Sequence, residues 1–354
     1  KPVNELFRNS RGHSMQFQQA MQDCNGKIWF LQVQGLLFRF NPADEKLTLY
    51  PVPNWNVFHW IKDKNNSFWF GCANGNTWRL VMNSLPFQSE YVPNMFNVSV
   101  VNNPRIVQNE TGDLWLALST GIYKVRKFDT ESALRLEKIR LPEGDTVAGC
   151  MITDSKGNLW MSLEKGRLAK IGKTGTYTSY KNTYNSSDQI YNIAEDHESN
   201  IWLQCLYNIY CLRSGSGEIE ELEVRDEGLR KSILTGIFDI CPDQNGNLWI
   251  ATFGNGIFCI RNDKKTVCRF TTEKGSELAA GDYCLRIEED IYGKIWILFA
   301  YNGLYYLDRD NEMLVKVKIP DEMPGRFSFM DFYIGSGNNF FIYNNRGVIL
   351  YNSR

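Results

Sequence analysis

Asp243-Gln244-Asn245-Gly246-Asn247-Leu248-Trp249-Ile250-Ala251-Thr252-Phe253-Gly254-Asn255-Gly256-Ile257-Phe258 decides the fold, because its outline returns along the whole 354-residue chain. The tryptophan recurs at Trp29, Trp69, Trp115, Trp160, Trp202, Trp249 and Trp296, and Phe341 takes the ring position in an eighth copy. The intervals between successive rings are 40, 46, 45, 42, 47, 47 and 45 residues. Six residues before the ring stand Asp23, Asp63, Asn109, Asp154, Asp196, Asp243, Asp290 and, in the last copy, Gly335. An apolar residue directly precedes every ring, and Gly or Asn follows it a few residues on. Such a period marks one small unit repeated.

The unit reads as consecutive hairpins. Asp-x-x-Gly is a turn sequence, since Asp can bond its own downstream backbone and Gly accepts positive φ. Leu248–Thr252 is short and rich in aromatic and branched residues, as strands are. Strand-like segments also precede each Asp (Ile237-Phe238-Asp239-Ile240) and follow each Gly, and a more polar fourth segment closes the unit (Thr266–Phe270). No segment shows a sustained helical period. Four antiparallel strands per ~40–45 residues describe a propeller blade. Burying one Trp in the wedge between blades contributes roughly 4–6 kcal/mol as an upper bound, from ~150–250 Å² removed from water. These rings therefore serve the scaffold.

The expected fold is all-β: a single closed propeller over residues 1–354, with four-stranded antiparallel blades centred on the eight rings. The last copy ends at Arg354 after its third strand, and Asn4–Arg8 offers a strand ahead of the first unit. Joining the two predicts eight blades in a ring closed by the N-terminal strand. The alternative is seven blades plus one extra motif.

Composition narrows the partners. The formal net charge is −1, with 39 basic and 40 acidic residues and no long run of either sign, so nucleic acid is not an expected partner. No apolar stretch approaches the ~20 residues a spanning helix needs. The nine cysteines have no metal-type spacing. Cys205 and Cys211, like Cys259 and Cys268, flank turns and are placed to face across hairpins; most cysteines read as small buried hydrophobes.

The pattern Asp-x-x-Gly-x-[Leu/Ile]-Trp, followed by Gly-[Ile/Leu]-[Phe/Tyr], resembles the regulator-propeller repeat in the periplasmic sensor region of bacterial hybrid two-component histidine kinases. The copies at Asp243 and Asp290 carry it best. The resemblance implies a non-catalytic periplasmic sensor, the extracytoplasmic part of an inner-membrane protein. Such a domain binds a glycan-derived oligosaccharide and passes the signal to a histidine kinase. Its implied partners are that ligand, downstream sandwich and kinase domains, and a second copy in a homodimer. Family sensors carry two seven-bladed propellers, whereas this chain has one set of eight motifs, so it is expected to be a fragment, a single-propeller sensor or a free-standing relative.

Two other readings remain open: a propeller lyase or hydrolase acting at the central mouth, and a protein-binding scaffold. Streptogramin-type lyases also have Gly-x-Leu-Trp repeats, and that resemblance implies a catalytic His and a metal. His13 lies in a loop, His197 lies in a blade turn, and only His59 is set on an inner strand. Sialidase boxes place Asp five residues before the ring, not six. The turn carboxylates stand singly and do not form a calcium loop. No cofactor, metal or catalytic residue is expected.

With the blade faces packed, a ligand should use loops at the mouth opposite the Asp turns. Those loops carry Gln34, Asn74, Asn76, Lys165, Tyr207, Asn255, Tyr301, Asn302, Asn345 and Arg346, together with Gln32, Glu164, Asn208 and Asn344. Segments leading into the inner strands add Trp55, Arg105, Tyr184, Asp188 and Arg326. Amides and flat rings on one rim suit a sugar. Trp55 and Tyr301 are the leading single candidates, because large rings are not turn chemistry.

Overall fold

The computed structural model describes residues 17–32, 36–50, 57–63, 67–72, 77–81, 88–92, 105–108, 114–118, 121–125, 136–142, 145, 147–180, 189–263, 265–270, 283–309, 312–317, 329–335, 339–344 and 347–352. They form antiparallel sheets in chain order, seven of four strands and a last one of three. The sixth sheet is typical: Ile237–Pro242, Leu248–Thr252, Ile257–Ile260 and Val267–Phe270 lie side by side in sequence order. The architecture is thus an all-β propeller of four-stranded antiparallel blades. The strand expected at Asn4–Arg8 to close the ring lies outside the described residues.

Six of the repeats are pinned by a carboxylate, buried in all but the Asp196 copy. Asp243 Oδ2 accepts the Trp249 Nε1–H at 2.9 Å, while its Oδ1 accepts the backbone N–H of Asn245 and Asn247 at 2.9 and 2.8 Å. The indole bond recurs at 2.8–2.9 Å from Trp29, Trp69, Trp160, Trp202 and Trp296 to Asp23, Asp63, Asp154, Asp196 and Asp290. Turn and ring are therefore one hydrogen-bonded unit, and the six-residue offset is the span of that bond. Gly246 supplies the positive φ of the turn, at 80°.

The ring then packs across to the following sheet. Trp249 shares a buried cluster with Cys284, Ile287, Ile295 and Ile297 of the seventh sheet. Trp202 meets Ile240, Leu248 and Ile250 of the sixth, and Trp29 meets Trp60, Phe68 and Phe70 of the second. Trp115, Trp160 and Trp296 do the same for the fourth, fifth and eighth. The first strand of the chain's first sheet lies against strands of the eighth. Polar latches reinforce some wedges: Glu195 accepts the Ser155 N–H and hydroxyl, and Glu289 accepts the Gln244 N–H. Burial pushes the Glu289 carboxyl above its ordinary range.

The structure corrects two sequence expectations. A short helix, Glu227–Ile233, interrupts the all-strand pattern between the fifth and sixth sheets. Asp226 caps it by accepting the Leu229 N–H, Glu227 sits in its first turn, and Arg230 and Lys231 sit in its last. Two turns are too short to show a period, so the cap is the only sequence signal. Cys205 and Cys211 do not face each other: Cys211 lies opposite Trp202 and Glu220. Cys259 and Cys268 are directly opposed, as expected.

Replacing Asp243 with Ala removes an acceptor from two backbone N–H groups of the turn, from the Asn247 side-chain amide and from the buried Trp249 indole. Thermal or denaturant unfolding should show a loss of about 2–4 kcal/mol. Adding Trp249→Phe to that variant should cost less than the two single losses together, because the carboxylate and the indole N–H are partners.

Candidate functional site

The mouth opposite the Asp turns is where the second strand of each sheet hands over to the third. On this side four aromatic rings gather over the sixth and seventh sheets. Phe253 follows the strand Leu248–Thr252, Phe238 opens the inner strand of the same sheet, Tyr283 precedes the inner strand Cys284–Glu289, and Tyr301 follows Ile295–Phe299. Phe253 and Tyr283 have ring centroids 4.2 Å apart; Phe238 lies 6.0 Å from Phe253 and 6.4 Å from Tyr283, near parallel to both. Tyr301 extends the group 6.0 Å beyond Tyr283. Phe238, Phe253 and Tyr301 are nevertheless 44%, 48% and 59% exposed, so the cluster presents its rings to solvent. Tyr191, Leu206 and Tyr207 of the fifth sheet are also exposed.

Backbone chemistry holds these rings in place. The Phe253 N–H donates to Gly236 O and the Ala300 N–H to Tyr283 O, at 2.8 and 2.9 Å. Phe253 and Tyr283 make an isolated antiparallel bridge that ties the sixth sheet to the seventh. The Ile237 N–H donates to Leu206 O, which brings the fifth-sheet loop to the same rim. The register slips between Ile237 and Asp239, so Phe238 is the extra residue of a bulge. Bulges re-aim side chains, and this one places a phenyl ring outside the core. Gly236 must remain small, since a Cβ there would lie 3.2 Å from the Phe253 Cβ.

Beneath the rings a polar seam crosses three inner strands. Asp239 Oδ1 accepts from Asn192 Nδ2 at 3.1 Å and its Oδ2 from the Ile287 N–H at 3.0 Å. Gln204 Nε2 donates to Ile237 O at 2.9 Å, while its buried Oε1 has no hydrogen-bond partner among the described residues. The seam fixes the spacing of the fifth, sixth and seventh sheets, and therefore of the rings above it.

The structure divides the residues named from sequence. Tyr301 joins the ring cluster, and Asn302 stands beside it in the same loop. Tyr207 is exposed on the adjoining loop. Asn255 is committed to the scaffold: its Nδ2 donates to Ser232 O at 3.0 Å and to the Thr235 hydroxyl, anchoring the C-terminal end of the short helix. Lys165 is exposed on the fourth sheet in the left-handed conformation, φ 60°. Near it, Asp145 accepts from Arg167 and from the Tyr177 hydroxyl, and burial with that carboxylate raises the phenol above its ordinary range. Gln34, Trp55, Asn74, Asn76, Asn345 and Arg346 lie outside the described residues, as do His13, Tyr184, Asp188, Arg326 and the side chains of His59 and Arg105.

Phe238, Phe253 and Tyr283 were not picked out from sequence. Their signal was available for Phe253, a large ring where Gly-rich turn chemistry calls for small residues.

Catalytic groups do not converge on this rim among the described residues. His197 packs on the neighbouring Asp turn, where a Cβ on Gly246 would sit 2.7 Å from its Cε1. Burial pushes the Cys241 and Cys259 thiols up to about 12, which leaves them poor nucleophiles. Among the described residues no group of three His, Cys, Asp or Glu could hold a metal, and no helix is long and apolar enough to cross a membrane.

Comparison with known proteins agrees with the architecture. Residues 233–254 match the family described as two component regulator propeller. The chain carries that repeat, centred on the Trp249 unit. No curated protein matches it significantly. Among solved structures, Sqt1 of Chaetomium thermophilum, bound to the N-terminus of the ribosomal protein L10, is similar with 10% identity, 97% of this chain and 98% of that one covered, and a TM-score of 0.70. Streptogramin B lyase is similar with 20% identity, 82% and 92% covered, and a TM-score of 0.55. The extracellular domain of the putative one component system BT4673 from B. thetaiotaomicron is similar with 16% identity, 97% and 52% covered, and a TM-score of 0.52. This chain thus spans about half the length of that domain. At these identities the likenesses concern the fold.

If Asn255 is an anchor for the helix, Asn255→Ala should lower stability by about 1–2 kcal/mol in denaturant unfolding. Exposed Tyr207→Ala should change it by less than about 0.5 kcal/mol.

Proposed function

We propose that this chain is a non-catalytic, extracytoplasmic sensor propeller of a two-component system, and that it holds an oligosaccharide on the aromatic rim of its fifth to seventh sheets. The observation that carries the reading is the exposed cluster of Phe238, Phe253, Tyr283 and Tyr301. Rings with open faces offer a stacking surface for the C–H faces of sugar rings, and they resist collapse because each is held by its neighbours and by the bridge beneath. Nearby backbone and amide groups, among them Asn302, provide hydrogen bonds for hydroxyls. The two component regulator propeller repeat supports the placement ahead of a histidine kinase, which would read ligand occupancy through the propeller.

In this reading the propeller is a ring of eight blades, with the strand at Asn4–Arg8 completing the last, three-stranded sheet. Gly347–Asn352 is the outermost strand of that sheet among the described residues, and it is the place such a strand would pair. Deleting residues 1–10 should then lower the midpoint of thermal unfolding; an unchanged midpoint would rule out this closure.

Calorimetric titration with a panel of oligosaccharides tests the ligand. Binding should appear for at least one member, and Phe253→Ala or Tyr301→Ala should each weaken it roughly tenfold, about 1.4 kcal/mol. Tyr292→Ala, in an Asp turn on the opposite side, should leave it unchanged. Equal effects from Tyr292 and Tyr301, or no heat across the panel, would remove the basis for the proposal.

A further inference from the structure

Cys259 and Cys268 stand directly opposite one another on the third and fourth strands of the sixth sheet. Opposed residues of an antiparallel pair project from the same face, with Cα atoms about 4.5–5.5 Å apart. A disulfide requires Cα atoms roughly 4.4–6.8 Å apart, so the backbone already has the needed spacing. The connecting hairpin is firmly set. Asp263 accepts from the Thr266 N–H, the Thr266 hydroxyl and the Lys265 N–H, and the Arg261 N–H donates to Thr266 O. Among the described residues no other two cysteines are paired across strands. Cys241 belongs to the same row, but Trp249 lies between it and Cys259.

The two sulfurs differ in access. Cys259 is buried against the seventh sheet, while Cys268, near the sheet's outer edge, is half-buried.

We propose that Cys259 and Cys268 form a dithiol modification site that closes into a disulfide between the outer two strands when a small-molecule disulfide oxidant, such as glutathione disulfide, is present. Deprotonated Cys268 attacks one sulfur of the oxidant, the oxidant's S–S bond breaks, and one glutathione thiolate leaves. Cys259 then gives its proton to solvent and attacks the Cys268 sulfur, expelling the second glutathione thiolate. The protein pair loses two electrons and two protons, and the oxidant is reduced to two thiols. The outer half of the blade is thereby stapled without moving the inner strands. An oxidising compartment would hold the bridged form and a reducing one the open form.

The test uses the full chain, folded, in glutathione buffers of rising oxidised fraction. Free thiols are alkylated and peptides mapped without reduction. The expected product is a linked pair of peptides containing Cys259 and Cys268, lighter by two hydrogens than the open form. Cys268→Ser should abolish modification at Cys259, whereas Cys259→Ala should leave Cys268 trapped as a mixed disulfide with glutathione. Burial keeps the Cys259 thiol high, at about 12. Closure should therefore quicken about tenfold per pH unit between about pH 7 and about pH 9. Full alkylation of both residues at every buffer ratio, or linkage of either to Cys241, would overturn the proposal. The outcome is independent of saccharide binding at the rim, so failure here leaves the sensor reading untouched.

Discussion

The bond from a buried Asp carboxylate to the indole N–H six residues later is the interaction on which this molecule depends. It joins two tasks that other folds separate. One oxygen closes a four-residue turn by accepting its N–H groups, while the other satisfies the polar edge of a ring that must be buried between sheets. An indole N–H left without a partner there would incur a desolvation cost of about 1–3 kcal/mol. A carboxylate buried alone would cost more. The exceptions obey the same chemistry. In the eighth copy the ring is Phe341, which has no N–H, and the residue six before it is Gly335 rather than an acid. In the third, Trp115 is preceded by Asn109, whose amide oxygen remains an acceptor type.

This constraint also assigns work to the two ends of the propeller. The Asp turns and their rings occupy one end and the wedges between sheets. Contacts across neighbouring sheets, such as Glu195 with Ser155 and Glu289 with Gln244, also involve the turn side. The opposite rim is held by other means, chiefly backbone bonds such as Phe253 N–H to Gly236 O and Ile237 N–H to Leu206 O. Phe238, Phe253 and Tyr301 are exposed there, with Tyr283 half-buried among them, and none of these rings fills a wedge between sheets as the tryptophans do.

The architecture was legible in the sequence because each unit is local. Turn, ring and hairpin lie within about a dozen residues, and the strand Leu248–Thr252 has the bounds its pattern predicts. The site was less legible, for reasons that particular residues make plain. Asn255 looks like a rim amide, but its partners Ser232 and Thr235 lie some twenty residues away in a helix that no periodicity announces. Phe238 looks like a core strand residue until a bulge turns it outward. Tyr301 was found because an aromatic residue in a Gly loop conflicts with turn chemistry. The same test applied to Phe253 would have located the cluster.

The repeat supplies a further argument, since it lets equivalent rim positions be compared within one chain. Five residues after the ring stand Gln34, Asn74, Thr120, Lys165, Tyr207, Gly254, Tyr301 and Arg346; four after it, Leu206 and Phe253 contrast with Ser119 and Glu164. Eleven before it stand Gln18, Phe58, Pro104, Gly149, Tyr191, Phe238, Leu285 and Met330. A scaffold of near-identical blades thus carries a variable rim, and five residues after the ring only the fifth and seventh units place an aromatic side chain. Among the described residues Phe238, Phe253, Tyr283 and Tyr301 gather on the sixth and seventh sheets, which the Asn192–Asp239 seam ties to the fifth.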